Sequence, residues 1–523
     1  MLFNSFEFLF GFLPLVVVVY FMLGHISRRW ALRWLVIASL FFYGWWRPLN
    51  VLIIAPSVLI NFAAARILQR LSKRERQHGA QIVLLAGIGF NVAFLGYFKY
   101  SNFLVSAVND ALGAHLVFAK VILPLGISFI TFQKIAFLID VHAGRIESFT
   151  LAEYCIFVLF FPQLIAGPIV HFREMMPQFR RVSCRFDKDN VSVGLTLLAL
   201  GLFKKVFIAD SIAPLVTPIY GQAASGASIS LVPAWIAAVG FALQIYFDFS
   251  GYTAMALGIA RLFGIRLPPN FNSPLRASSI IDFWLRWHMT LTRFLTGYIY
   301  NPLTLWLTRR RASKGLPGFA GRNRTGGAFI ELLMFPTLLT MLVSGIWHGA
   351  GYTFIIWGGV HGLFLTVNHA WRLLGPKLWR DKSRYERFMR PTGFMITFAC
   401  VAASMVIFRS ANVKTAIHML QGMLGLHGIG LSGLRTATGI GLKSTAFWIA
   451  FPAFIALACP NTLQILSRYE PALGWKTDPY DGRRALARIA WGPSLAWAVA
   501  ASTIAITGIL HLGGQSEFLY WQF

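Results

Sequence analysis

Thirteen separate stretches of this chain are apolar over nearly the length of a membrane crossing: near residues 5–24, 31–47, 49–66, 81–98, 117–140, 151–170, 190–209, 231–248, 329–347, 352–371, 392–409, 444–459 and 493–511. A helix needs about 20 largely apolar residues to cross a hydrocarbon layer of about 30 Å, so a chain this dense in such stretches has few soluble folds open to it. Lipid offers no water to backbone N–H and C=O groups, so uninterrupted apolar runs satisfy them as helices. The expected fold is all-α: a polytopic transmembrane helical bundle of about ten to thirteen membrane segments. Several stretches contain Gly, Pro or a charge, and some of these are expected to be half-spans or re-entrant helices, which need protein or a water-filled cavity around them. Composition agrees. Only 13% of residues are charged against 56% hydrophobic, and mean hydropathy is +0.62, whereas soluble domains carry about 25% charged residues. An aromatic content of 15% supplies far more burial than a disordered chain possesses.

The chain holds 47 Lys+Arg against 19 Asp+Glu, a formal charge of +28. A nucleic-acid binder reaches high charge by adding Lys and Arg to a polar surface; here acids are scarce in an apolar chain, which argues for contact with anionic lipid and against nucleic acid. Short loops rich in Lys and Arg stay cytoplasmic. Arg28, Arg29 and Arg33 after the first stretch, and Arg66, Arg70, Lys73, Arg74 and Arg76 after the third, place both loops inside and the N-terminus outside. Two further basic segments lie at 308–327, with Arg309, Arg310, Arg311, Lys314, Arg322 and Arg324, and at 372–390. The first residues carry Glu7, no basic residue and no small-residue cleavage site, so they read as a retained span and not as a signal peptide. Cys155, Cys184, Cys400 and Cys459 have no metal-binding or disulfide spacing. No repeat of fixed period is visible and the halves do not mirror each other, which weakens a transporter reading. The whole of 1–523 is expected to form one membrane-embedded unit.

An ionisable side chain inside a bilayer costs about 2.5–3.5 kcal/mol on insertion scales, so each one in an apolar stretch is a functional candidate. Of twelve histidines, His25, His78, His115, His142, His171, His418, His427 and His511 lie at or near segment ends. His348 does not: it sits in LLTMLVSGIWHGAGYTFIIWGGVHG, with His361 thirteen residues later. The plain reading of either is a core histidine bonded to a carbonyl. Around His348 the balance shifts, because Gly345, Gly349 and Gly351 admit a close approach and Trp347 supplies a flat wall. A neutral imidazole is the side chain best suited to take a proton near pH 7.

His288 lies in SSIIDFWLRWHMTLTRFLTGYIYNPL, too polar for a lipid-facing span and expected to be a helix dipping into the protein. Asp282 and Arg286 are four apart and pair on one face, while His288 faces elsewhere, toward a cavity. Upstream, Asp248 ends a strong apolar stretch and is placed either to orient a histidine or to cap a helix; Asn270 follows in the PPNFN turn.

The ordered run FYGWW (42–46), KYSNF (99–103), LPLGISFITFQKIAFLIDV (123–141), FFPQLIAGPIV (160–170), GLFKKVFIAD (201–210), YFDFSGYTAMALGIARLFG (246–264), PPNFN (268–272), FWLRWHMTLTRF (283–294) and SGIWHGAGYTFIIWGGVHG (344–362) resembles the membrane-bound O-acyltransferase family, and within it the bacterial branch of alginate O-acetylation proteins. The resemblance runs from about Phe41 to Leu365; residues 366–523 are less distinctive. It implies that His348 is the family's essential histidine and His288 its second active-site residue. It further implies helices around a central tunnel in which a cytoplasmic acyl donor meets an acceptor from the other face. Ala254 departs from the pattern, because close relatives commonly carry an acid there.

Acyl transfer from a thioester to a hydroxyl needs a base, a donor for the oxyanion and exclusion of water. The expectation is that His348 activates the hydroxyl and His288 positions the acyl group or polarises its carbonyl. Trp284, Trp287 and Trp347 are expected to dry the passage, with Asp248, Asn270, Arg286 and His361 supporting it, and Arg309, Arg310 and Arg311 to attract donor phosphates. No GxSxG serine or base-paired cysteine is evident, so direct transfer is expected over an acyl-enzyme. No metal or bound cofactor is expected. The resemblance implies acetyl-CoA as donor, a polysaccharide acceptor, a periplasmic or membrane-anchored SGNH-type acetyltransferase as partner, and a multi-pass position in a bacterial inner membrane. Two alternatives stand beside it: D-alanyl transfer from a carrier protein to teichoic acid, and a transporter or flippase without chemistry.

Overall fold

The structure is a computed structural model that describes residues 1–319, 325–431, 434, 438–475, 489–514 and 519. Among these residues the regular structure is all helical, without strands. After a wide π turn at Glu7–Phe12 come α1 (Leu13–Ile26), α2 (Arg28–Gly44), α3 (Leu49–Lys73), α4 (Gln77–Leu112) and α5 (Ile127–His142). Short helices follow: α6 (Leu151–Leu159), α7 (Phe161–Leu164) and α8 (Phe172–Arg181). The centre is built from α9 (Lys188–Leu202), α10 (Asp210–Ala224) and α11 (Leu231–Leu262). Then come α12 (Ile280–Arg286), α13 (Met289–Leu295), α14 (Asn301–Ser313), α15 (Gly326–Phe329), α16 (Phe335–His348) and α17 (Tyr352–Leu374). The chain continues through α18 (Lys382–Arg409), α19 (Val413–Met423), α20 (Leu442–Ala458), α21 (Thr462–Ile465) and α22 (Leu495–Leu510).

Seven helical runs among the described residues are long and apolar enough to cross a membrane: Glu7–Ile26, Leu49–Lys73, Gln77–Leu112, Lys188–Ala224, Leu231–Leu262, Gly326–His348 and Lys382–Arg409. This is fewer than the sequence suggests, and the reasons are local. Arg28, Arg29 and Arg33 occupy the first turns of α2. Residues 117–123 lie outside any helix, so 117–140 yields only α5. The 151–170 stretch breaks at Phe160, ahead of Pro162, and leaves helical structure before Pro168. The resulting pieces, α6 and α7, are short and largely buried.

The core is organised by α11, whose residues are buried almost continuously from Phe241 to Leu262. It packs on α9 through two glycine pairs. A Cβ on Gly258 would collide with the backbone of Gly194 and Leu198, and one on Gly201 with Gly251 and Met255. In lipid, where burial of apolar surface between helices brings little, such close approach is what holds helices together. The α16–α17 hairpin repeats the device: a Cβ on Gly345 would strike the carbonyl of Phe354, and one on Gly358 that of Met341. His348 sits at the tip of this hairpin, on the last residue of α16.

Candidate active site

The segment around His288 is not one helix dipping inward. It is two short helices, α12 and α13, broken at Trp287–His288, and His288 itself has φ +43°. A non-glycine residue in this region costs about 1–3 kcal/mol and persists only where its surroundings enforce it. They do so here. The amide of Met289 donates to the Asn270 carbonyl at 2.9 Å and that of Asn272 to the Arg286 carbonyl at 3.0 Å, which locks the PPNFN turn against the break. Ser279 caps α12 at the amide of Asp282. The expected Asp282–Arg286 pair forms at 2.8 Å, and Arg286 also reaches the Asn272 carbonyl at 3.4 Å. Arg286 therefore braces the turn.

The hydrogen-bond chain behind His288 specifies its tautomer. The amide of Ile169 donates to Thr290 Oγ1 at 3.0 Å, Thr290 donates to Asn270 Oδ1 at 2.5 Å, and His288 Nδ1 meets the same Oδ1 at 3.3 Å. An oxygen that already accepts from Thr290 can only accept from the ring, so Nδ1 carries the proton and Nε2 is the acceptor. A neutral His288 in this state accepts a hydrogen bond into the site; it does not donate one to a carbonyl. Asn270, expected among the supporting residues, thus contacts the His288 ring directly. It also approaches Thr253 at 3.5 Å, beside a cavity of about 30 Å³ lined by Tyr246, Ser250, Thr253 and Asn270. That volume suits a water and not an acyl donor, so this cavity does not trace the tunnel implied by the resemblance.

The His348 ring lies 6.5 Å from the His288 ring, centre to centre. Both residues are buried. Even with nitrogens facing each other, this separation exceeds a direct bond of about 3 Å and admits one oxygen between them. Aromatic rings close the surroundings: Trp347 at 4.9 Å, Trp357 at 5.1 Å and Phe408 at 5.4 Å from His348, with Phe249 at 4.8 Å from His288. Trp347 borders both imidazoles, being 6.1 Å from His288, and is itself stacked on Phe132 at 5.1 Å. Trp287 packs on Phe271 and Phe283.

His361 is a different kind of histidine. Trp284 Nε1 donates to its Nδ1 at 3.3 Å, so its Nε2 carries the proton and donates to Ser404 Oγ at 2.9 Å; the Ser404 hydroxyl in turn donates to the Val401 carbonyl at 2.8 Å. Both ring nitrogens are engaged, and His361 and Trp284 tie α17 to α12 and α18. Asp248 corrects the expectation attached to it: it pairs with Lys205 at 2.8 Å, and Lys205 also bonds Asp210 at 2.6 Å. It does not cap a helix end, because it lies inside α11. Of the three arginines assigned to the donor, Arg311 is buried, bonded to Glu331 at 2.5 Å and to the Pro317 carbonyl at 3.1 Å. Arg309 and Arg310 are exposed, Arg310 over the Trp306 ring. Arg322 and Arg324 of the same basic segment lie outside the described residues. The four cysteines are free.

Sequence reasoning missed Lys99, Tyr100, Lys205, Thr290 and Ser404. A lysine inside an apolar stretch was the available signal for the first and third; nothing local marks a threonine or serine as a partner of a distant ring.

Residues 91–316 match the model of the membrane-bound O-acyltransferase family, a range that includes His288 and ends before His348. The chain is 37% identical to the peptidoglycan O-acetyltransferase of Helicobacter pylori, over 83% of this chain and 82% of that one. It is 33% identical to the probable alginate O-acetylase AlgI of Pseudomonas aeruginosa over 100% of both chains. The teichoic acid D-alanyltransferase of Streptococcus thermophilus is 30% identical over 54% of this chain and 68% of its own length.

Proposed function

This chain belongs to the membrane-bound O-acyltransferase family, a multi-pass membrane enzyme that transfers acyl groups to oxygen, and from that premise we propose that it carries acetyl groups from cytoplasmic acetyl-CoA to an extracytoplasmic polysaccharide. The observation that carries this reading is the pair of buried imidazoles, brought from separate segments to 6.5 Å and walled by Trp347, Trp357 and Phe408. His348 takes the proton from the acceptor hydroxyl as its oxygen attacks the thioester carbonyl carbon. The C–S bond breaks, the proton passes from His348 to the leaving sulfur, and the products are an O-acetyl ester and the free thiol. His288, presenting Nε2 as an acceptor, positions a donor N–H or the hydroxyl by a hydrogen bond. The aromatic walls exclude water that would otherwise hydrolyse the thioester.

The two relatives named as acetyl-transferring enzymes cover 83% or more of the chain, whereas the D-alanyltransferase covers 54%; this favours acetyl over D-alanyl. The hydroxyl that first receives the acetyl belongs either to the polymer or to a periplasmic or membrane-anchored SGNH-type acetyltransferase that passes it on. The enzyme's place is a bacterial inner membrane, with the exposed Arg309 and Arg310 drawing in the donor's phosphates. The test is to supply membranes containing the protein with radioactive acetyl-CoA or with a D-alanyl carrier protein. Label from acetyl-CoA reaching extracytoplasmic polymer in wild-type but not in His348→Ala membranes is expected; label from the carrier alone would reject the acetyl reading.

A further inference from the structure

Helix α4 meets the protein interior in an unusual way. Of its residues only Ala80, Asn91 and Lys99 are buried, and two of these three are polar. Asn91 and Asn61 bond each other at 2.6 and 3.3 Å, which ties α4 to α3. Lys99 reaches further: its Nζ donates to the carbonyls of Trp347 and His348, the latter at 3.1 Å, across 249 positions of sequence. The neighbouring Tyr100 hydroxyl donates to the Ile346 carbonyl. A lysine at this depth is expensive in lipid, and the arrangement shows what offsets that cost.

The last carbonyls of any helix lack intrahelical partners and carry the negative end of its dipole. Helix α16 ends without the left-handed cap that usually supplies those partners: Gly349 is extended, at φ −161° and ψ 155°. Three successive carbonyls, 346, 347 and 348, are instead taken by the adjacent Lys99 and Tyr100 of α4. The Lys99 ammonium also lies 5.8 Å from the centre of the Trp347 ring, the wall shared by both imidazoles. The end of α16 that carries His348 is thus held from outside its own hairpin.

We infer that Lys99, assisted by Tyr100, is a positioning residue that orients the His348 imidazole by capping the terminal carbonyls of α16. The inference rests on the reading of His348 as the base. A displacement of about 1 Å at a reacting group can lower a rate by about 100-fold, so loss of the cap falls on turnover.

The test uses a strain lacking the native gene, complemented with the full-length chain, and reads alkali-labile acetate on surface polymer against protein abundance in the membrane. Lys99→Met at wild-type abundance is expected to lower acetate at least about tenfold, Lys99→Arg to restore at least about half of it, because a guanidinium keeps charge and several donors, and Tyr100→Phe to fall between. Rescue by Arg is what a purely space-filling lysine would not predict. Normal acetylation by Lys99→Met, or equal loss in the Met and Arg variants, would overturn the inference. If the Met variant fails to accumulate, Tyr100→Phe decides: undiminished acetate rejects the cap. His348→Ala in the same strain separates the two claims. Activity there defeats the reading of His348 itself, whereas an inactive His348→Ala beside a fully active Lys99→Met defeats the positioning role alone.

Discussion

The two halves of the site are held by opposite means. His288 stands on a break between two short helices, at φ +43°, and its ring is oriented through a side-chain chain from Thr290 to Asn270. His348 stands on the end of a long helix, oriented through main-chain carbonyls that a neighbouring helix caps. The first device sets a tautomer and leaves one nitrogen as an acceptor; the second sets where a ring points. A pair of imidazoles held this way can have each member tuned without disturbing the other, and variants of the two supports should fail differently.

The largest effect belongs to His348 itself. Replacement by Ala should leave folded protein in the membrane and reduce acyl transfer by about 10²–10⁴-fold, the worth of a general base; radiolabel transfer per molecule of protein measures it, and a smaller loss would mean that His288 is the base. Asn270→Leu comes next. It orphans Thr290 and releases the His288 tautomer, at a cost of about 1–3 kcal/mol, and is expected to reduce transfer about 10- to 100-fold. Combined with His288→Ala, the same change should add little, because both act through one ring; additive losses in that double variant would show that Asn270 works independently of His288. Thr290→Val removes one link further back and should reduce transfer less than Asn270→Leu does, about threefold to tenfold, within the range set by one orphaned bond. The smallest effect on turnover is expected from Ser404→Ala, on the third histidine. It leaves the His361 Nε2–H without its acceptor, lowering the thermal midpoint by the equivalent of about 1–3 kcal/mol while transfer per folded molecule stays within about twofold of wild type. A turnover defect at normal stability would move His361 from the scaffold to the reaction.

Much of the architecture was legible because it is local. Runs of apolar residues specify helices wherever they occur, and glycine at 345 announces a close approach before the partner helix is known. His348 and His288 stood out because an imidazole in apolar surroundings is costly wherever its neighbours come from. Other features were misread for the same reason. FWLRWHMTLTRF has helical periodicity, yet the PPNFN turn bonds to its middle and breaks it. Asp248 suggested a helix cap as one of its two readings, yet it lies inside α11 and pairs with Lys205 from the wide turn at Phe203–Ala209.

Alone, the sequence determined the class of molecule, its helical content and the two imidazoles worth examining, because burial cost and periodicity are properties of a residue and its immediate neighbours. Tertiary structure decided what engages the two nitrogens of His361, what the Nδ1 of His288 meets and which lysine supports the end of α16. Those outcomes depend on hydrogen bonds between segments far apart in the chain, and a donor carries no mark in sequence of the acceptor it will meet.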